Sequence, residues 1–130
     1  MGQQQLLLII LGVIVVGIAV AVGITMFQDN AVSANRDGVT NDLVNLAARA
    51  QQYYRRPTAL GGGQGSFASC TLLLLTTKPS NANGTYTLSS PTQPSVTLDG
   101  LGVENGNDGT TPVKVEMIVY ADSMVTTVLN

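Results

Sequence analysis

From Leu6 to Phe27 the chain reads LLLIILGVIVVGIAVAVGITMF, with no charged side chain anywhere in the run. A helix of about 20 such residues, rising ~1.5 Å each, matches a hydrocarbon core of roughly 30 Å. The run is apolar on every side, so it has to be covered all round, by lipid or by copies of itself. From Gln28 the polarity changes while the helical period continues. Val39, Leu43, Leu46, Ala47, Ala50 and Tyr54 recur on one face, and the opposite face carries Asn35, Arg36, Thr40, Asn41, Asn45, Arg49 and Gln52, which the pattern assigns to solvent. Gly38 weakens the helix by up to ~1 kcal/mol relative to Ala and permits a bend. Pro57 ends it, because its ring disfavours helix at Arg56 and removes a donor. The pattern therefore predicts one helix of ~55 residues and ~80 Å, apolar over 1–27 and amphipathic over 28–56.

Residues 57–70 are glycine-rich and read as a loop, Thr58-Ala59-Leu60-Gly61-Gly62-Gly63-Gln64-Gly65-Ser66 at its centre. Beyond it the period drops to two. Thr71–Thr77 is a short apolar run, and Thr85–Ser89, Ser95–Asp99, Pro112–Ala121 and Ser123–Leu129 alternate or are rich in strand-forming residues. Turn signals fall at Asn83-Gly84, Asp99-Gly100, Asn105-Gly106 and Asp108-Gly109. Four or five antiparallel strands over 71–130 follow, with one apolar face to hide. The stripe from Val39 to Tyr54 is its natural cover, which makes the fold class α+β: a long N-terminal helix packed on a small antiparallel sheet.

Charge and composition remove several function classes. Six Lys and Arg stand against eight Asp and Glu, a net charge of −2, with the cations scattered; that argues against a nucleic-acid surface built on a basic stripe. The chain has no histidine, and Cys70 is its one cysteine. No disulfide can form within it, the commonest zinc and copper ligands are missing, and so is the commonest general base. We expect no enzyme, no metal and no cofactor. Asp99, Glu104, Asn105, Asn107 and Asp108 offer oxygen ligands of the kind Ca²⁺ takes, but they match no spaced calcium loop, and a solvated turn is the plainer reading. Asn83-Gly84-Thr85 is a glycosylation sequon, but Asn-Gly between strands reads more readily as a hairpin turn. Cys70 reads as a small core residue, and Tyr53 and Tyr54 as helix-to-sheet packing. Four tyrosines and two phenylalanines are too few to argue for electron conduction. At the N-terminus, Met1-Gly2-Gln3-Gln4-Gln5 places no Lys or Arg before the apolar run, where signals and anchors normally carry them; we expect a basic leader to have been removed. Leu6 stands where a myristoylation motif wants Ser or Thr.

Together, the hydrophobic N-terminal helix, its amphipathic continuation, the glycine-containing loop and the small sheet resemble the type IV pilins and the pseudopilins of type II secretion. Met26-Phe27-Gln28-Asp29 resembles the end of the pilin hydrophobic segment, and Asn41-Asp42-Leu43-Val44-Asn45-Leu46 resembles a stretch of the pilin helix. The chain departs from the family in three ways. Pilins usually carry a glutamate just behind the mature N-terminus, which pairs with a neighbour's terminal amine. With Met1 as the first residue its place is taken by Gln5, and with cleavage after Gly2 by Leu7. A glutamine still accepts a hydrogen bond from an ammonium but brings no charge to it. The helix also lacks the family's proline, leaving Gly17 and Gly23 to loosen it, and the paired C-terminal cysteines are absent.

The resemblance implies a structural subunit of an extracellular type IV pilus-like filament, drawn from a single-span inner-membrane precursor. Its implied partners are other copies of itself, a prepilin peptidase and the pilus assembly machinery. Assembly would rest on Met1, Gln5, Leu6, Leu7, Leu8, Gly12, Gly17, Ala21, Gly23 and Phe27, with Gly17 and Ala21 forming a small-xxx-small pair that lets backbones approach. Three alternatives stand beside it: a membrane-anchored binding module that does not polymerise, a minor pilin or pseudopilin of a secretion system, and a filamentous-phage-like coat, although such coats lack a sheet domain.

Overall fold

A computed structural model describes residues 2–130 of the chain. Helix α1 spans Gln3–Arg55, a 3-10 turn follows at Thr58–Leu60, and helix α2 is the single turn Leu72–Leu75. Strands β1 (Gly84–Ser89), β2 (Ser95–Asn105), β3 (Pro112–Tyr120) and β4 (Met124–Val128) form one antiparallel sheet in the order β1-β2-β3-β4. The chain is thus α+β. It divides into two compact units, Met1–Ala31 and Val32–Asn130. The first is helix alone. The second contains the remainder of α1 and the whole sheet.

In the second unit, α1 lays Val39, Leu43, Leu46, Ala47, Ala50 and Tyr53 into a core whose other side is Val96, Leu98, Val113, Val115, Met117 and Val119. The register explains why these strand residues share a face: Val96 lies opposite Val119, Leu98 opposite Met117 and Gly100 opposite Val115, and alternate residues of a strand point the same way. Phe67, Cys70, Leu75 and Tyr86 close the same core from the loop, α2 and β1. Fully burying a Val or Leu side chain stabilises by about 1.5–3 kcal/mol, so this double layer is the main source of cohesion in the unit.

Four expectations change. The Leu72–Leu75 run is a helical turn rather than a strand: only Leu75 of the four is buried and Thr76 N closes the turn on Leu72 O at 2.9 Å. Asp99-Gly100 is no turn but the middle of an eleven-residue β2. There α1 approaches so closely that a methyl on Gly100 would meet Val39 Cγ1 at 2.5 Å. The glycine answers to helix-to-sheet spacing, not to a reversal. Tyr53 takes the buried place assigned to Tyr54; Tyr54 is half-buried against the core, its ring 4.8 Å from that of Phe67. Asn35, assigned to solvent, is 8 % exposed.

The glycine-rich loop does specific work at the end of α1. Gly63 N donates to Tyr53 O at 2.8 Å, Gly65 N to Tyr54 O at 2.8 Å and Gln64 N to Arg56 O at 3.0 Å. Those carbonyls would otherwise lack a partner at the helix terminus.

Candidate functional site

The Met1–Ala31 unit is a helix with nothing packed on it. The large apolar side chains from Leu6 to Phe27 are each at least half exposed, and Phe27 reaches 77 %. The 18-residue stretch that qualifies α1 as a membrane-spanning candidate has no buried residue. Gly2 O accepts from Gln5 N at 3.2 Å, so the helix is hydrogen-bonded from its first turn. Thr25 hides its hydroxyl by donating to Val22 O at 2.8 Å, and the helix thereby presents no uncompensated polar group from that side chain.

Of the residues expected to serve assembly, Gln5, Leu6, Leu7, Leu8, Gly12, Gly17, Ala21, Gly23 and Phe27 all lie exposed on this one helix, and beyond the helix's own local backbone no described atom comes within 4 Å of a methyl built on Gly12, Gly17 or Gly23. Met1 lies outside the described residues. The expected packing set falls in the other unit, where Val39, Leu43, Leu46, Ala47 and Ala50 are buried.

Two polar devices tie α1 to the sheet within the Val32–Asn130 unit, and neither was read from the pattern. Asn35 Nδ2 donates to Asn83 O at 2.7 Å, while its Oδ1 accepts from Val103 N at 3.1 Å and Glu104 N at 3.2 Å. The pairing of β2 with β3 shifts register between Leu101 and Asn105, and such an irregularity turns backbone donors out of the ladder; Asn35 satisfies two of them. About two helical turns further on, the Asp42 carboxylate accepts from Asn81 Nδ2 and Asn83 Nδ2, each at 2.9 Å, and from the Tyr86 hydroxyl. Burial pushes the Asp42 carboxyl up, but the hydrogen bonds from Tyr86, Asn83 and Asn81 outweigh it and hold it below its ordinary value. The same contact, with burial as the larger cause, pushes the Tyr86 phenol up. Asp42 stands within the stretch that resembles the pilin helix, which was the only signal that could have singled it out.

The oxygen-rich segment is split by the fold. Asp99 accepts from Ser89 Oγ across β1 and β2, whereas Asp108 shapes the β2–β3 turn by accepting from Thr110 N and Thr111 N at 3.0 and 2.9 Å. Hydrogen bonds from the Thr111 hydroxyl and these backbone groups hold the Asp108 carboxyl well below the usual range. Among the described residues no three His, Cys, Asp or Glu side chains gather where they could hold a metal. Asn83-Gly84 closes a tight turn, with Asn81 Oδ1 accepting from Asn83 N and Gly84 N and an isolated bridge pairing Ser80 with Thr85. Cys70 is buried and free, and burial pushes its thiol up to about 11, where little thiolate forms at neutral pH.

In comparisons with known proteins, the chain matches no family model, no curated protein and no solved structure. The arrangement itself defines the class: a four-stranded α+β unit carried on the same helix whose N-terminal part is long and apolar enough to cross a membrane.

Proposed function

We propose that the chain is the structural subunit of an extracellular type IV pilus-like filament, polymerising through its apolar N-terminal helix from a single-span inner-membrane precursor. The observation that carries this reading is the exposed surface from Leu6 to Phe27. In a bilayer, lipid covers it, and burying each Leu, Ile or Val at about 1.5–3 kcal/mol keeps the subunit there. Once the subunit leaves the bilayer, only neighbouring helices can replace the lipid, and a bundle of such helices forms the core of a filament. Gly12, Gly17, Ala21 and Gly23 support close approach of those helices. A heterologous, non-closing interface along the helix side then generates an open polymer. The outer face of the sheet is rich in threonine and serine, Thr85, Thr87, Ser89 and Thr97 among them, which suits a solvated filament surface. The role is structural rather than catalytic, and the working partners are other copies, a prepilin peptidase and the assembly machinery.

The same helix also favours a second reading, a membrane-anchored module that does not polymerise, because length and apolarity alone satisfy the requirements of a span. Electron microscopy of sheared cell-surface material, with mass spectrometry of the N-terminal peptide from the same sample, separates the two. Thin filaments containing this chain, with a methylated terminal amine, are expected. Recovery of the protein only as a detergent-soluble monomer from membranes, with no filaments, overturns the filament reading in favour of the anchor.

A further inference from the structure

The Val32–Asn130 unit has two ends of opposite character. One is marked by the C-terminal end of α1, where Gln51 and Arg55 donate to Tyr120 O and Ala121 O beside the β3–β4 turn. Arg49, Arg55 and Arg56 are exposed there, with Asp122 the acid nearby in sequence to that turn. Arg49 and Arg55 spend donors on the carbonyls of Leu75 and Ala121, which accept hydrogen bonds but cancel no charge. A cleft of about 400 Å³ opens between Arg49, Arg56, Leu60 and Leu74. Leu60 on the 3-10 turn and Leu74 on α2, both exposed, supply apolar points on its otherwise polar lining, and Leu73 is exposed beside Leu74 on α2. Such leucines, drawn together from two separate loops around two guanidinium groups, form a surface suited to a partner that is both apolar and acidic.

The other end carries that combination. There Asn35 holds Val103 N and Glu104 N, and Arg36 donates to Asn107 Oδ1 at 3.0 Å, so the β2–β3 turn sits against the N-terminal part of α1 in this unit. Leu101 and Val103 are exposed, with the exposed acids Glu104 and Asp108 in the same segment, and Asp37 is exposed beside Arg36 on α1. Arg36 and Lys114 are the cations of this end. About 20 residues of α1, roughly 30 Å, separate Asn35 from Arg55, so these surfaces cannot meet within one chain.

We propose that the leucine-rimmed arginine cleft receives the Leu101–Asp108 segment of a second copy, stacking the Val32–Asn130 units head to tail. The proposal rests on the filament reading in taking a second copy as the occupant. Complementarity in charge and in apolar exposure, with both halves on one chain, favours that occupant, and a head-to-tail contact is heterologous and leaves the chain of copies open. Because the contact includes exposed charges, high salt weakens it.

The test uses the full chain with Arg56→Cys and Glu104→Cys combined. A disulfide needs Cα atoms within about 7 Å, which the separation of the two ends forbids inside one molecule, and Cys70 is buried away from oxidant. Mild oxidation of surface and membrane material is expected to produce a ladder of dimers, trimers and higher oligomers, while each single variant stops at the dimer. In parallel, Arg56→Glu is expected to lower filament yield several-fold and Arg56→Glu with Glu104→Arg to restore it. Filaments without a ladder beyond the dimer overturn this contact and leave the filament reading standing. A ladder in membranes without filaments supports the contact and overturns the filament reading; the absence of both overturns both.

Discussion

Gly102 lies on β2 where it faces Asn35 of α1, and a methyl there would run into Asn35 Oδ1. Gly102→Ala therefore pushes away the carboxamide that satisfies Val103 N and Glu104 N. Overpacking costs about 1–3 kcal/mol and stranding part-buried donors adds at most a similar amount; we expect a loss of about 1–3 kcal/mol, read by denaturant or thermal unfolding, with a wild-type-like value refuting the close contact. Asp42 makes a second prediction at this scale. Its folded-state carboxyl is held below the ordinary value of 3.8, so its contribution is complete above that value and fades as pH falls through the depressed one. Asp42→Asn cannot accept the same three donors, and hydrogen bonds to a charged group are worth about 1.5–3 kcal/mol. The variant is expected to lose that much at pH 7 and to show a flatter fall in Tm between pH 5 and pH 2. An unchanged acid slope would sink the assignment. Neither device was legible beforehand, for a physical reason: a polar residue at helical spacing reads as solvated unless its partners are known, and the partners of Asn35 and Asp42 arrive from far along the chain.

Whole elements were legible where periodicity and burial agree. The amphipathic part of α1, β1 and β3 fall near their expected bounds because each has one face in the core and the alternation records it; β4 also falls near its bounds, although none of its residues is buried. Pro57 stops α1 two residues before itself, as its ring requires. Agreement failed at β2, where glycines placed for close approach imitate turn chemistry, and at Leu72–Leu75. Four consecutive leucines carry no period, so a buried strand and a half-exposed helical turn look alike. Mutation separates them. Leu75→Ala, at the one buried leucine of α2, is expected to cost about 2–4 kcal/mol, whereas Leu73→Ser, on the solvated side, should stay within about 0.5 kcal/mol of wild type. Equal losses at both positions, measured by thermal unfolding, would restore the strand. Leu73→Ser also removes apolar surface beside the arginine cleft, so normal stability with weaker oligomer formation would separate folding from association.

At the scale of the whole molecule the open question is what covers the apolar helix, and Gly17 can distinguish the candidates. Beyond the helix's own local backbone, nothing described in the chain lies within 4 Å of a methyl at that position, so a larger residue disturbs no tertiary contact. Gly17→Leu also favours the helix by up to about 1 kcal/mol and adds apolar surface that lipid accommodates freely. Membrane insertion should therefore be retained or strengthened. A bundle of close-packed helices responds in the opposite way, because a bulky side chain where Gly17 and Ala21 allow backbones to approach forces neighbours apart. Overpacking of this kind costs about 1–3 kcal/mol at each contact, and in a polymer the same contact repeats at every subunit. We expect Gly17→Leu to be recovered from membranes at wild-type levels while filaments in sheared material fall by tenfold or more. Val16→Lys supplies the contrast: a charge at the centre of a span costs about 2.5–3.5 kcal/mol and has no partner in an apolar bundle, so insertion and assembly fall together. Filaments unaffected by Gly17→Leu would place helix contacts elsewhere than the small-residue face. Loss of filaments with insertion intact would mean that neighbouring helices, and not lipid alone, cover the surface from Leu6 to Phe27.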